Sequence, residues 1–288
     1  MSPNTLGALL MMAAMAAFTL NDTLLKLTDG ALPLAQLLFL RGIASTVLIY
    51  ALARSLGALR FQVARRDWWL IAVRSAAEVG AAFFFVTALL NMPLANVTAI
   101  LQALPLTVAV AAALVFREPL GWRRMSAILI GFMGMLLIVR PGSDGFSLWS
   151  AYALMAVLCV TVRDLATRRL SRDVPSMTVT LASSVAVTLC FGAASTVTEW
   201  GPITLPLAAL IGGASVIIMA AYFFSVRAMR VGDIGFIAPF RYTGLIWALV
   251  LGWVVFEDWP SNLTLIGALI VVAMGLFTLY REQQLSKR

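Results

Sequence analysis

Ten apolar stretches, each about as long as a bilayer's hydrocarbon core requires, follow one another along this chain with only short interruptions. A helix crosses that core with ~20 predominantly apolar residues. Windows of that length fall near residues 5–27, 33–53, 68–90, 94–115, 121–139, 147–167, 174–198, 205–228, 233–255 and 261–280. The interruptions carry helix breakers: Asp29-Gly30, Met92-Pro93, Pro141-Gly142, Gly201-Pro202 and Trp259-Pro260. Loops this short set consecutive helices side by side and antiparallel, with no room for a soluble domain. Composition agrees, because 61% of the 288 residues are hydrophobic and only 12% charged, against about 25% charged in a soluble domain. The surplus apolar surface must face lipid. The expected fold is all-α and integral to the membrane, with ten transmembrane helices. Residues Leu6 to Leu20 look like the apolar part of a signal peptide, but no Lys or Arg precedes them. They are read as the first span, retained.

The formal net charge of +8 invites a nucleic-acid reading, which the distribution of charge removes. With the N-terminus inside, the cytoplasmic loops and the C-terminal tail hold fifteen of the 21 Lys and Arg residues, and the outer side only Lys26 and Arg140. That is a strong positive-inside bias, with both termini cytoplasmic. No nucleic-acid partner is expected. The remaining four, Arg41, Arg74, Arg163 and Arg241, lie within spans. Cys159 and Cys190 sit in apolar runs with no disulfide or metal spacing, and histidine is absent. A membrane-embedded enzyme would want a nucleophile–base pair or paired acids at metal spacing. None appears, nor does a phosphate-binding P-loop, so neither enzymatic activity nor a cofactor is expected.

An internal repeat follows. A shift of 142 residues lays Thr19, Asn21-Asp22, Lys26 and Pro33 on Thr161, Arg163-Asp164, Arg168 and Pro175. A shift of 141 lays Pro119 on Pro260, Met133-Gly134 on Met274-Gly275 and Arg140 on Arg281. The shift contains five spans, an odd number, so the second half enters the membrane in the opposite sense. The expected organisation is a first five-helix repeat over 1–141 and an inverted one over 142–288, forming one membrane domain. Inverted repeats are a recurrent plan of secondary transporters, which rock around a midplane site.

Several stretches carry a family likeness: Phe39-Leu40-Arg41; Arg74 with Phe83-Phe84-Phe85 and Met92-Pro93-Leu94-Ala95; Leu104-Pro105-Leu106 with Phe116-Arg117-Glu118; and Gly131-Phe132-Met133-Gly134. Ala238-Pro239-Phe240-Arg241-Tyr242 through Trp247, Gly252 and Phe256-Glu257 completes the series. In order and spacing, across nearly the whole chain, they resemble the drug/metabolite transporter superfamily and in particular its ten-helix EamA-type exporters. The resemblance implies a multi-pass protein of the bacterial cytoplasmic (inner) membrane. It implies movement of small polar metabolites, and it looks most like bacterial exporters of amino acids, aromatic ones included. One departure is that Pro105 lies 13 residues before Glu118 whereas Pro239 lies 18 before Glu257. Symmetric hinges at the prolines are therefore not expected. Exporters of nucleosides, sugars or drug-like cations, and a channel or non-transporting protein, remain as alternatives.

Ionisable groups within spans are costly and face a bundle interior or a water cavity, which makes each one a candidate. Arg74 and Glu78, four apart, share a face of the third span. They are either a self-neutralising pair or a place where Glu78 takes a substrate ammonium or a proton. Arg241, with Tyr242 beside it and Trp247 beyond, can fork onto a carboxylate between aromatic walls. The alternative is a structural arginine. Asp22 and Lys26, like Asp164 and Arg168, are acid-to-base pairs at i and i+4. They read as matched outer and inner gates or as simple helix-end salt bridges, with Asn21 and Arg163 beside them. Gln102 offers a donor and an acceptor. Pro105 and Pro239 free backbone carbonyls for a bend or a cavity lining, and Arg41 braces the bundle. Tyr222 and Phe83 lie deep enough to line a cavity, whereas Trp68, Trp69, Trp122, Trp149, Trp200 and Trp259 sit at span ends as interfacial anchors. Gly131, Gly134, Gly267 and Gly275 allow close helix approach in the fifth and tenth spans, as structure or as the face of a homodimer.

Overall fold

A computed structural model of the chain describes residues 2–55, 57, 59, 62–117, 121–140, 147–171, 173–231 and 234–286. Pro141-Gly142, Glu118 and Pro119 lie outside the described residues. Twelve α-helices account for nearly all of it: α1 (Pro3–Lys26), α2 (Leu34–Ser55), α3 (Arg65–Asn91), α4 (Leu94–Leu101), α5 (Leu104–Phe116) and α6 (Trp122–Val139). Then come α7 (Leu148–Arg169), α8 (Ser176–Ser195), α9 (Leu205–Val231), α10 (Ile234–Ile237), α11 (Thr243–Phe256) and α12 (Asn262–Ser286), with a 3-10 segment over Ala238–Tyr242. No strand occurs among the described residues. Eight helical stretches are long and apolar enough to cross a membrane, and Met125–Val139 and Asn262–Thr278 are two shorter apolar ones.

Two of these ten apolar stretches are broken. Helices α4 and α5 make one span interrupted at Gln102-Ala103, and α11 follows the 3-10 segment that holds Pro239. The prolines are out of register, yet the breaks are not. Helix α5 runs 13 residues to a left-handed cap at Arg117 (φ 55°), and α11 runs 14 residues to the same cap at Glu257 (φ 56°). Proline only has to fall within the first turn of the restarted helix or just ahead of it, where a missing N–H costs nothing.

The helices pack in reciprocal pairs: α1 against α9, α2 against α8, α3 against α7, α6 against α12 and α4 against α11. Leu37, Leu38, Leu89, Leu94, Ile100 and Leu106 are wholly buried in one apolar core drawn from both halves. The pair α6 and α12 meets through glycine: a Cβ added at Gly134 would stand 2.9 Å from the Gly267 carbonyl oxygen. Small residues at such a crossing let two backbones touch, which replaces the hydrophobic drive that lipid cannot supply. At one end of the bundle, Gln36, fully buried, donates to the Gly201 carbonyl at 2.9 Å and accepts from its N–H at 2.8 Å. That double bond pins α2 to the Gly201-Pro202 turn.

Candidate functional site: a charged column through the bundle

Helices α1 and α2 supply the first part of the site. The Asn21 amide, 1% exposed, donates to Asp22 Oδ1 at 2.8 Å, and its carbonyl oxygen accepts from Arg41 Nη2 at 3.4 Å. Arg41 Nε is buried without a hydrogen-bond partner among the described residues. Arg41 and Asp22 lie within electrostatic reach of each other.

Helices α3, α7 and α8 supply the second part. Glu78 stands midway along α3, and its Oε2 faces Arg74 Nη2 at 3.9 Å and Arg163 Nη1 of α7 at 3.5 Å. Arg163 also grips Asp164 Oδ1, through Nε at 2.9 Å and Nη2 at 2.8 Å. Arg74 Nε donates to Thr167 Oγ1 at 3.0 Å, and its Nη1 donates to Ser183 of α8. Ser75 and Ser183 hydroxyls lie 3.0 Å apart. The self-neutralising pair on α3 is therefore one edge of a network that ties three helices together. Nor is it sealed: the side chains of Glu78 and Arg163 are each 24% exposed.

Tyr222 of α9 joins the two parts. Its ring meets Phe18 edge-on at 5.3 Å, and its hydroxyl lies within electrostatic reach of Glu78, Arg163, Arg41 and Arg74. Three guanidiniums (Arg41, Arg74, Arg163) and three carboxylates (Asp22, Glu78, Asp164) thus share one column with no net charge. Fixed charges of both signs in a partly accessible, low-dielectric space suit a small molecule that itself carries both signs. Reading charges alone missed Ser75, Thr167 and Ser183, since hydroxyls are commonplace in apolar spans, where they bond their own helix. One signal was available: Ser183 falls 142 residues after Arg41.

The sequence matches the EamA-like transporter family twice, over residues 5–140 and again over 147–280. The chain belongs to that family. It is 26% identical to the pseudopaline exporter CntI of Pseudomonas aeruginosa over 92% of this chain and 93% of that protein. It is 25% identical to the riboflavin transporter of Vibrio cholerae over 98% of this chain and 95% of that one. The S-adenosylmethionine uptake transporter of Rickettsia prowazekii is 25% identical over 67% of this chain and 65% of its own length. One crystal structure superposes with a TM-score of 0.64 at 21% identity, covering 96% of this chain and 98% of that one, a likeness of fold. This EamA-like chain is accordingly a multi-pass membrane protein of a family of small-metabolite transporters.

The remaining candidates lie apart from the column or at its margin. Arg241 is exposed, whereas the neighbouring Tyr242 is 7% exposed and its hydroxyl, without a hydrogen-bond partner among the described residues, abuts Gly275 of α12. The two point away from a shared carboxylate clamp. Tyr242 and Pro239 line an apolar groove of about 400 Å³ between α4, α11 and α12, and Trp247 stands 39% exposed on α11. Phe83 stacks edge-on with Phe84 at 5.2 Å in an aromatic cluster with Tyr152 and Trp149. Gln102 caps the break in its span, and a Cβ at Gly244 would lie 3.8 Å from its Nε2. Pro105 occupies the first turn of α5. Lys26 does not fold back on Asp22: its Nζ donates to the carbonyls of Leu89 at 3.1 Å and Met92 at 2.9 Å. A cation there satisfies carbonyls that a helix C-terminus leaves open.

Proposed function

We propose that this chain is a secondary transporter of the bacterial inner membrane that exports small amphoteric metabolites, amino acids foremost. In this reading it works by alternating access around the charged column. The single observation that carries the reading is the column itself, drawn from both halves, neutral overall and partly accessible. A substrate carboxylate would engage Arg41 and the Tyr222 hydroxyl, and its ammonium would engage Glu78 or Asp22, each charge replacing an internal partner. That exchange keeps the cost of desolvation low whether the site is loaded or empty.

Two further facts support the inverted repeat that alternating access needs. The family match occurs once in each half. The main packing pairs also map onto themselves when the halves are exchanged: α1–α9 becomes α7–α3, while α2–α8 and α6–α12 each return to themselves. The positive-inside bias supports a cytoplasmic position for both termini. The relatives differ in cargo and in direction, so export of amino acids rests on this chain's own residues and on its resemblance to amino-acid exporters.

Flux into proteoliposomes, scanned over labelled amino acids with and without a pH gradient, tests the reading. Saturable uptake competed by related amino acids is the expected result. Absence of any amino-acid flux through folded, inserted protein would overturn the substrate class and turn the search to nucleosides, sugars and drug-like cations.

A further inference from the structure

Two cation–π contacts occupy corresponding places in the two halves. Lys26, at the end of α1, sets its Nζ 5.4 Å from the ring centre of Phe256, the last residue of α11. Arg168, near the end of α7, sets its guanidinium carbon 5.2 Å from the ring centre of Phe116, the last residue of α5. Lys26 and Arg168 are 142 residues apart and Phe116 and Phe256 are 140 apart, so each contact is the other with the halves exchanged. Both cross between halves, joining the first span of one to the broken span of the other.

Deeper in the bundle a hydroxyl on each first span also reaches the opposite broken span. Thr19 Oγ1 lies 3.4 Å from the Gly244 carbonyl near the start of α11, and its counterpart Thr161 lies 2.8 Å from Thr107 near the start of α5. Each first span is therefore held to the opposite broken span at two levels, by a hydroxyl near the break and by a cation over a ring at the helix end. The hydroxyls sit beside the breaks. The cation–π contacts lie at opposite ends of the bundle in the inverted arrangement, where separation is largest.

We infer that Lys26–Phe256 and Arg168–Phe116 are reciprocal gate latches, one for each side of the membrane, released in turn as the transporter alternates. This rests on the alternating-access reading above. Lys26 also holds the end of α3 through Leu89 and Met92, so releasing its latch frees two helices. Arg169 lies over the same Phe116 ring at 4.9 Å and reinforces the other latch.

The test is side-specific labelling of a single cysteine, Tyr222→Cys, placed in a background with Cys159→Ser and Cys190→Ser. A membrane-impermeant maleimide is applied to right-side-out and to inside-out vesicles. Phe256→Leu keeps apolar bulk and removes the π face, and it should raise labelling from the outside by about 2- to 30-fold, the range that cation–π contacts span between exposed and desolvated sites. Phe116→Leu should raise labelling from the inside by a similar factor. Trp at either position should restore the native pattern, which a merely structural role would not predict. No change in either variant, or the same change from both sides, would overturn the latches and leave the transport reading standing. A reporter at position 222 that, with both latches intact, is reachable from one side only would instead overturn alternating access.

Discussion

Glu78 faces two guanidiniums from two helices, so its charge does more than balance Arg74. Replacing it with Gln leaves Arg163 to Asp164 alone and Arg74 to hydroxyls. In a fully buried pair that loss costs about 3–5 kcal/mol, and the partial exposure of both side chains reduces it to about 1–3 kcal/mol here. We expect Glu78→Gln to fold, to bind more weakly, and to carry substrate at a rate that no longer responds to a pH gradient. Flux measured with the gradient on and off checks this, and an undiminished gradient response would remove Glu78 as the proton site. Arg74, Glu78, Arg163 and Asp22 stood out by residue type, since ions are rare in spans, and Asn21 only as the neighbour of Asp22. Their partners were not. Lys26 at i+4 from Asp22 satisfies a helical salt-bridge rule, but three dimensions offered it the open carbonyls ending α3. Likewise Arg241 and Tyr242, adjacent in sequence, separate because consecutive residues of a helical turn point in different directions.

Among the elements, α6 and α12 behave as a unit, packed on each other through Gly134 and Gly267 and contributing nothing to the charged column. Their glycines signalled this in the sequence, because close approach needs small residues whatever the rest of the chain does. A Cβ at Gly134 would crowd Gly267 O and Ile270 Cβ, both at 2.9 Å. Gly134→Val should destabilise the protein by about 1–3 kcal/mol, the usual cost of overpacking, and should lower its thermal midpoint in detergent while substrate affinity at permissive temperature stays near native. A midpoint equal to the parent's would contradict the tight crossing. The broken spans were less legible. Pro105 and Pro239 flagged them but misplaced the correspondence, since a proline is tolerated anywhere in the first helical turn or just before it. The shared left-handed caps at Arg117 and Glu257 are what align α5 with α11, and such caps at non-glycine residues have no reliable sequence mark.

At the scale of the whole molecule, hydropathy carried most of the architecture. Ten apolar windows became ten apolar helical stretches, because lipid permits few alternatives to helices in segments of this length. What hydropathy cannot encode is which helix lies against which: the column arises where α3 meets α7 and α8 and where α1 meets α2 and α9, and the latches where α1 meets α11 and α7 meets α5. The central claim is that one site is exposed alternately to the two sides. Counterflow tests it most directly: proteoliposomes are loaded with unlabelled substrate and diluted into a trace of the labelled form. A carrier returns its site loaded, so the labelled form should accumulate transiently above its equilibrium level. Simple equilibration without overshoot, for a substrate that the protein demonstrably moves, would contradict alternating access and mark the column as a pore.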